Sequence, residues 1–422
     1  MAKRPTVASL KKVTPENLER LGAERLAALL AQAAAARPEL KRRLRMELAA
    51  EQGAEHLAVE IDRRLASLET SRGKISWRQR GAFVRDLEAL RVLIADRLAE
   101  LDAEGALARM GQLLAAQRRI GGRTRDKDGS LAAVFARAAG DLGGLLARLD
   151  STTSGVAIAE GVAADPTSWS GWLEPVLAEV SPEAAHVALV RLSADARATG
   201  SWLPLLRRLA DATGDADAYR ATFTDQALKD PSVAAEVATR LLEAGRTDEA
   251  GRVLEASKPK AGVLKRAPEP DFDWETAWIA FLEASGRGDE AQAARWASFE
   301  RTLSAERARD FTRRLPDFED VEAEHRAFDL AAAHPDLGTA LGFLIAWPAH
   351  AEAVRTLNAR IDEAGDIATP VAEAIVAALR GRYPEAAHAL LRKAAAAAFR
   401  RRDFKTCDRL TLEAEALAPA DD

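Results

Sequence analysis

A leucine-rich stripe with helical spacing constrains this chain more than any other feature. Phe83, Leu87, Leu90, Ile94, Leu98 and Leu101 recur at three- or four-residue steps. That period places them on one face of an α-helix, where a strand would scatter them over both faces. Ser76 and Gln79 precede the stripe as a capping-box pair. A helix from there to Leu101 spans roughly 40 Å. The same period recurs in Leu26, Leu29 and Leu30, in Leu40, Leu44 and Leu48 after Pro38, and in Leu57, Ile61, Leu65 and Leu68. It returns after a polar loop at 121–129, in Leu131, Val134, Phe135, Leu142, Leu145 and Leu149. Sheet faces need β-branched and aromatic residues, and aromatics make up only 5% of this chain, with two tyrosines. The chain is predicted to be all-α.

At about 100–200 residues per domain, the 422 residues allow two or three domains or one elongated array. Thr14 and Pro15 form an N-cap and first-turn proline. The expected organisation is a basic helical bundle over 1–150, with a break near 151–155. A region of shorter helices over 151–257 starts a repeat-like array. Asp165 with Pro166, Ser181 with Pro182, Gly200, Gly214, and Asp230 with Pro231 punctuate it. Residues 258–272, with Pro259, Pro268 and Pro270, read as an exposed loop, and repeat-like hairpins fill 273–422.

Three segments carry the repeat signal: LEAGRTDEA (242–250), LEASGRGDEA (282–291) and ALRGRYPEAA (378–387). In each, a glycine ends an apolar helix and Glu-Ala follows four residues later. The pairs are Gly245 with Ala250, Gly286 with Ala291, and Gly381 with Ala386. Glycine suits the left-handed position that closes a helix. The glutamate favours the next helix's first turn, and the alanine lets the helices approach. The pattern predicts a tetratricopeptide-like α-solenoid of helical hairpins after the bundle. Its spacing is irregular, 41 and then 95 residues between glycines.

Motifs for chemistry are sparse. The lone Cys407 excludes a disulfide scaffold or a cysteine-ligated zinc site. An adjacent Asp408 opposes thiolate formation, so Cys407 reads as a structural thiol. No two of His56, His186, His325, His334, His350 and His388 stand at helical ligand spacing. There is no nucleophile elbow and no phosphate-loop lysine-serine ending. Gly143 and Gly144 read as a close-packing or kink position. No catalytic residue, cofactor or metal is implied. Trp169 with Trp172, and Trp274 with Trp278, fall at helical spacing and read as core wedges, with Trp202, Trp296 and Trp347 scattered.

Charge is uneven. The net −5 combines 28 Lys/Arg against 20 Asp/Glu in 1–150 with 32 against 45 in 151–422. Two basic clusters lie in the first part. One is Lys41, Arg42, Arg43 and Arg45; the other is Arg118, Arg119, Arg123, Arg125 and Lys127. Brought together, they form a polyanion patch with salt-dependent affinity. Asp126 and Asp128 dilute the second cluster, and no aromatic residue interleaves it for base stacking.

LGAERLAALL (21–30), LKRRLRMELA (40–49), IDRRLASL (61–68) and WRQRGAFVRDLEALR (77–91) resemble the opening of an uncharacterised proteobacterial family of domain-of-unknown-function proteins. FLIAWP (343–348) and GRYPEAAHALLRKA (381–394) resemble its closing segment, which is also similar to the helical carboxy-terminal part of SWIM zinc finger proteins. The resemblance implies an all-helical fold. It implies no zinc, since the SWIM ligands have no counterpart beside Cys407.

The sequence thus favours a non-enzymatic helical-repeat scaffold that binds a protein partner. Nucleic-acid or polyanion binding through the basic first third ranks second, and an enzyme with a site assembled from distant residues third. The basic amino terminus has no apolar core, so no secretory leader is read there. No apolar run has membrane-spanning length. A cytoplasmic location without membrane contact is expected.

Overall fold

The computed structural model describes residues 13–194, 200–258 and 271–418. Every regular element among these residues is a helix. The chain forms two compact units, Met1–Phe223 and Thr224–Asp422.

The first unit opens with α1 (Pro15–Glu19), α2 (Ala23–Ala36), α3 (Pro38–Ala50) and α4 (Ala54–Thr70). A long helix comes next, α5 (Trp77–Leu93), which continues through a π-turn at Ile94–Leu98 as far as Leu101. Then come α6 (Ala103–Ala115), the short α7 (Gln117–Gly121) and α8 (Ser130–Leu146). Leu57, Ile61, Leu65, Leu87, Leu90, Ile94, Leu98, Met110 and Phe135 are buried at the centre of this bundle. The stripe on α5 is therefore its core face, and the Ser76 N–H donates to Gln79 Oε1 at 3.2 Å to begin it. Two details depart from the sequence reading. The π-turn inserts one residue and rotates the last turn of the helix by about 100°, which leaves Leu101 exposed. Leu29 and Leu30 are also exposed, because α2 packs mainly on its sequence neighbours α1 and α3.

The unit continues with α9 (Ser151–Ala164), α10 (Pro166–Leu177), α11 (Pro182–Ser193), α12 (Leu203–Thr213) and α13 (Ala216–Ala221). α8 packs on α10, α9 on α11 and α10 on α12. Contacts to the next helix and the next but one are the mark of stacked hairpins. α8 also packs on α5 and α6, so it belongs to the bundle and the stack together. Residue 150, read as a boundary, consequently lies inside the unit, and the compact units part at Phe223. The punctuation residues are helix starts. The Asp165 carboxylate accepts the Ser168 N–H at 3.1 Å and the Ser181 hydroxyl that of Ala184 at 3.2 Å. Pro166 and Pro182 stand in the first turn, where a missing N–H goes unnoticed.

The second unit is built on the same plan. It contains α14 (Pro231–Glu243), α15 (Thr247–Ala256), α16 (Phe272–Ala284), α17 (Gly288–Thr302), α18 (Ala305–Thr312) and α19 (Glu319–Ala333). It ends with α20 (Leu337–Ala346), α21 (His350–Ala359), α22 (Thr369–Leu379), α23 (Pro384–Arg400) and α24 (Phe404–Glu415). Most successive helices touch, and α14 packs on α16 and α20 on α22. The fold is thus all-α, a bundle followed by hairpins stacked as in a solenoid. Of the loop expected at 258–272, residues 259–270 lie outside the described residues, and α16 begins at Phe272.

The hairpin turns share one geometry. Gly245 and Gly286 both adopt φ 73°. The next residue closes each turn, Arg246 N–H to Leu241 O at 2.8 Å and Arg287 N–H to Leu282 O at 2.9 Å. Ala250 and Ala291 are fully buried five residues after the glycines. Gly381 differs, since its φ is not positive. Tyr383, ahead of Pro384, stands at φ −133° and ψ 61°, and the chain leaves α22 without a left-handed residue, although Ala386 is still buried. A further copy of the turn is built without glycine. Ala349 N–H closes on Leu344 O at 2.8 Å, and Glu352 and Ala353 occupy the Glu-Ala positions after Pro348.

The same closure recurs at Arg402, where the Asp403 N–H donates to Ala398 O at 3.0 Å and Arg402 adopts φ 63°. A side chain in that region costs about 1–2 kcal/mol, while glycine loses about 0.5–1 kcal/mol more backbone entropy on folding. Arg402→Gly is therefore expected to stabilise the second unit by about 0.5 kcal/mol. A lower midpoint in urea unfolding would refute this.

Candidate anion-binding surface

The fold separates the nine basic residues of the sequence-predicted patch. Arg42 bonds Asp86 through Nε at 3.2 Å and Nη2 at 2.9 Å, and Arg64 pairs with the other oxygen of the same carboxylate. Arg43 lies beside Arg42 in a cleft of about 520 Å³ with Arg37, Arg64 and Arg85, floored by Met46, Leu90 and Leu93. Arg45 faces a different groove, with Leu48, His56 and Glu60. Lys41 is exposed. Arg119 donates to the Glu69 carbonyl. Arg118 lies near Asp165, whose carboxyl is held below its usual range first by Ser168 and then by the Arg118 charge. Lys41, Arg45, Arg118 and Arg119 thus stand apart from any shared pocket with the rest.

Arg123, Arg125 and Lys127 do converge, together with residues outside the two basic runs. Two segments are zipped together, the connection from α4 to α5 and the loop from α7 to α8. The Ile75 N–H donates to the Arg123 carbonyl at 2.9 Å, and Arg123 Nε returns a bond to the Gly73 carbonyl at 2.9 Å. Arg80 donates to the Arg125 carbonyl at 2.8 Å and pairs with Asp128 at 2.5 Å. The result is a trough of about 960 Å³ lined by Lys74, Ile75, Trp77, Arg80, Gly121, Gly122, Arg123, Thr124, Arg125 and Lys127. Five cations face it and no carboxylate does.

Neither of the two acids that interrupt the basic run in sequence lines the trough. Asp126 accepts the N–H groups of Leu131 at 3.1 Å and Ala132 at 2.8 Å, capping α8. Asp128 accepts from Ser130 and is held below the usual carboxylate range, first by Ser130 and further by Arg80. Asp126 therefore takes no charge from the trough, whereas Asp128 offsets part of the Arg80 charge at its edge. Arg123 Nη1 is buried there with no hydrogen-bond partner among the described residues.

Arg64 lines the cleft that holds Arg42 and Arg43. Burial lowers its pKa, Asp86 opposes that, and the charges of Arg42 and Arg123 lower it further. Its Nε is buried without a partner among the described residues.

The remaining candidates are structural. Trp169, Trp172, Trp202, Trp274 and Trp296 are buried. The indole N–H of Trp172 donates to Gln117 at 2.8 Å and that of Trp274 to Ser257 at 3.0 Å. Cys407 lies half-buried in a groove between α23 and α24, beside His388 and Phe399. No group of three His, Cys, Asp or Glu is arranged to hold a metal ion among the described residues, and no helix among them is long and apolar enough to cross a membrane.

These features define a helical-repeat protein with a basic trough in its first unit. The chain belongs to the family of unknown function DUF6880, whose model matches residues 8–200 and 187–418. No curated protein matches it. Among solved structures it is similar to a circular tandem repeat protein with novel repeat topology and enhanced subunit contact surfaces. The two share 16% identity over 95% of this chain and 87% of that one, at a TM-score of 0.22. The all-helical assignment stands on the chain's own helices and their stacking.

Proposed function

We propose that this chain is a non-enzymatic helical-repeat binding protein whose first unit holds a phosphate-bearing polyanion in the trough. One observation carries this reading: Lys74, Arg80, Arg123, Arg125 and Lys127 converge on one concavity with no carboxylate lining it. Five like charges gathered in one concavity repel one another and focus a positive potential that attracts anions. The proposal keeps the scaffold character read from the hairpins and moves the binding surface to the bundle.

The test is a salt series on the full chain with a labelled oligoanion. Binding should weaken steeply as salt rises, because neutralised phosphates release counterions. A variant carrying Lys74→Gln, Arg125→Gln and Lys127→Gln changes three exposed side chains. It should flatten the log–log salt slope by about two, at about 0.7 per lost single-strand phosphate contact. No binding at low salt, or an unchanged slope in the variant, would overturn the proposal.

A further inference from the structure

Trp77 occupies the first position of α5 and is 78% exposed, on the rim of the trough. An indole buried in a core removes about 150–250 Å² from water, and this one forgoes that gain. Arg78 sits over the ring at 5.1 Å from its centroid, while most of the ring remains open to solvent. The fold has therefore placed a flat aromatic surface beside five cations, the pairing used where unstacked bases lie on an aromatic ring while their phosphates follow a basic groove.

The trough itself narrows the ligand. Five cations line about 960 Å³ of concavity, more charge than one phosphate group neutralises, which suits a chain of phosphates better than a single nucleotide. In a duplex the base faces are stacked on one another and unavailable to an indole, whereas single strands offer them.

We propose that the trough binds single-stranded nucleic acid, with a base stacked on Trp77 and the backbone running along Lys74, Arg123, Arg125 and Lys127. This rests on the polyanion reading and adds the chemical class of the ligand. Recognition is tolerant of sequence, because every base has a face to stack.

The experiment compares wild type, Trp77→Ala and Trp77→Phe by fluorescence anisotropy. The probes are a labelled oligothymidylate of roughly ten nucleotides, in the range of known single-strand site sizes, the corresponding duplex, inorganic polyphosphate and polyglutamate. Wild type should bind the single strand more tightly than the duplex. Trp77→Ala should weaken single-strand binding roughly tenfold or more, Trp77→Phe should keep most of it, and polyphosphate binding should be the same in all three. Because Trp77 is exposed, all three should share one unfolding midpoint.

Equal single-strand affinity for wild type and Trp77→Ala, or duplex binding as tight as single-strand binding, would overturn the stacking inference. Polyphosphate binding that still responds to the triple Gln variant would leave the polyanion reading standing in that case. Polyglutamate binding as tight as the oligonucleotide would instead assign the trough to an acidic protein segment. Absence of binding to every probe at low salt would remove both readings.

Discussion

Arg295→Ala is expected to destabilise the second unit by about 3 kcal/mol, the lower end for breaking a buried ion pair. For a unit of this size that lowers the unfolding midpoint by roughly 6–12 °C. Arg295 lies on α17 with its side chain 1% exposed. It pairs with Glu283 of α16 at 2.5 Å and Asp310 of α18 at 2.8 Å, and donates to Gln292 at 3.0 Å. One guanidinium thus ties three consecutive helices. Its removal leaves a cavity and two acids facing each other, although each acid keeps over a third of its side-chain surface in water, which limits the cost. Arg314 touches the same two acids, Glu283 at 2.9 Å, from a 38% exposed position. Arg314→Ala should therefore cost under about 1 kcal/mol, as exposed pairs do. Arg295→Met should fall between them, since it refills the space without pairing the acids. Urea unfolding of the three variants decides the matter. Equal losses for Arg295→Ala and Arg314→Ala would show that burial does not set the value of this network.

Much of the architecture is legible in the sequence because helical architecture is encoded locally. Stripe spacing, caps such as Asp165 and Ser181, and the Gly245 and Gly286 turns all act within a few residues. The departures have physical causes of the same local kind. Apolar spacing assigns Leu101 to the core because a π-turn leaves no mark in that spacing. The Pro348 copy of the hairpin is invisible to a pattern anchored on glycine, while its Glu352 and Ala353 positions still carry the signal. The binding surface is harder to read, because it depends on contacts between distant segments. Arg80 reaches the Arg125 carbonyl across 45 residues, and that contact brings Trp77 beside the basic loop. No pattern within either segment announces the meeting. Asp126 misleads in the opposite direction. Counted along the chain both Asp126 and Asp128 reduce the loop's charge, but the start of α8 occupies Asp126 and only Asp128 takes charge from the trough, through Arg80.

Chemically identical substitutions at two helical glycines should change stability in opposite directions. A Cβ on Gly155 of α9 would stand 2.5 Å from the Ala184 carbonyl oxygen and 2.5 Å from Val187 Cβ, both on α11. Backbone cannot yield as a flexible side chain does, so the two helices would have to separate. Neighbouring layers show the same closeness. A Cβ on Gly143 of α8 would meet Val176 O of α10 at 2.8 Å, and one on Gly161 would meet the Trp169 indole. Glycine therefore sets the spacing at which these hairpins stack. Gly144, one residue from Gly143, has nothing within 4 Å of a built Cβ. Alanine gains about 0.8–1 kcal/mol over glycine in a helix interior, whereas overpacking a filled contact costs about 1–3 kcal/mol. Gly144→Ala should accordingly stabilise the first unit by about 0.5–1 kcal/mol. At 2.5 Å from a backbone oxygen the overpacking cost lies in the upper part of that range, so Gly155→Ala should destabilise it by about 1–2 kcal/mol once the two effects are combined, and the branched Gly155→Val by about 3 kcal/mol. Thermal unfolding of the full chain reads all three. Stabilisation by Gly155→Ala would mean that α9 and α11 part at little cost and that the close approach does not hold the stack together.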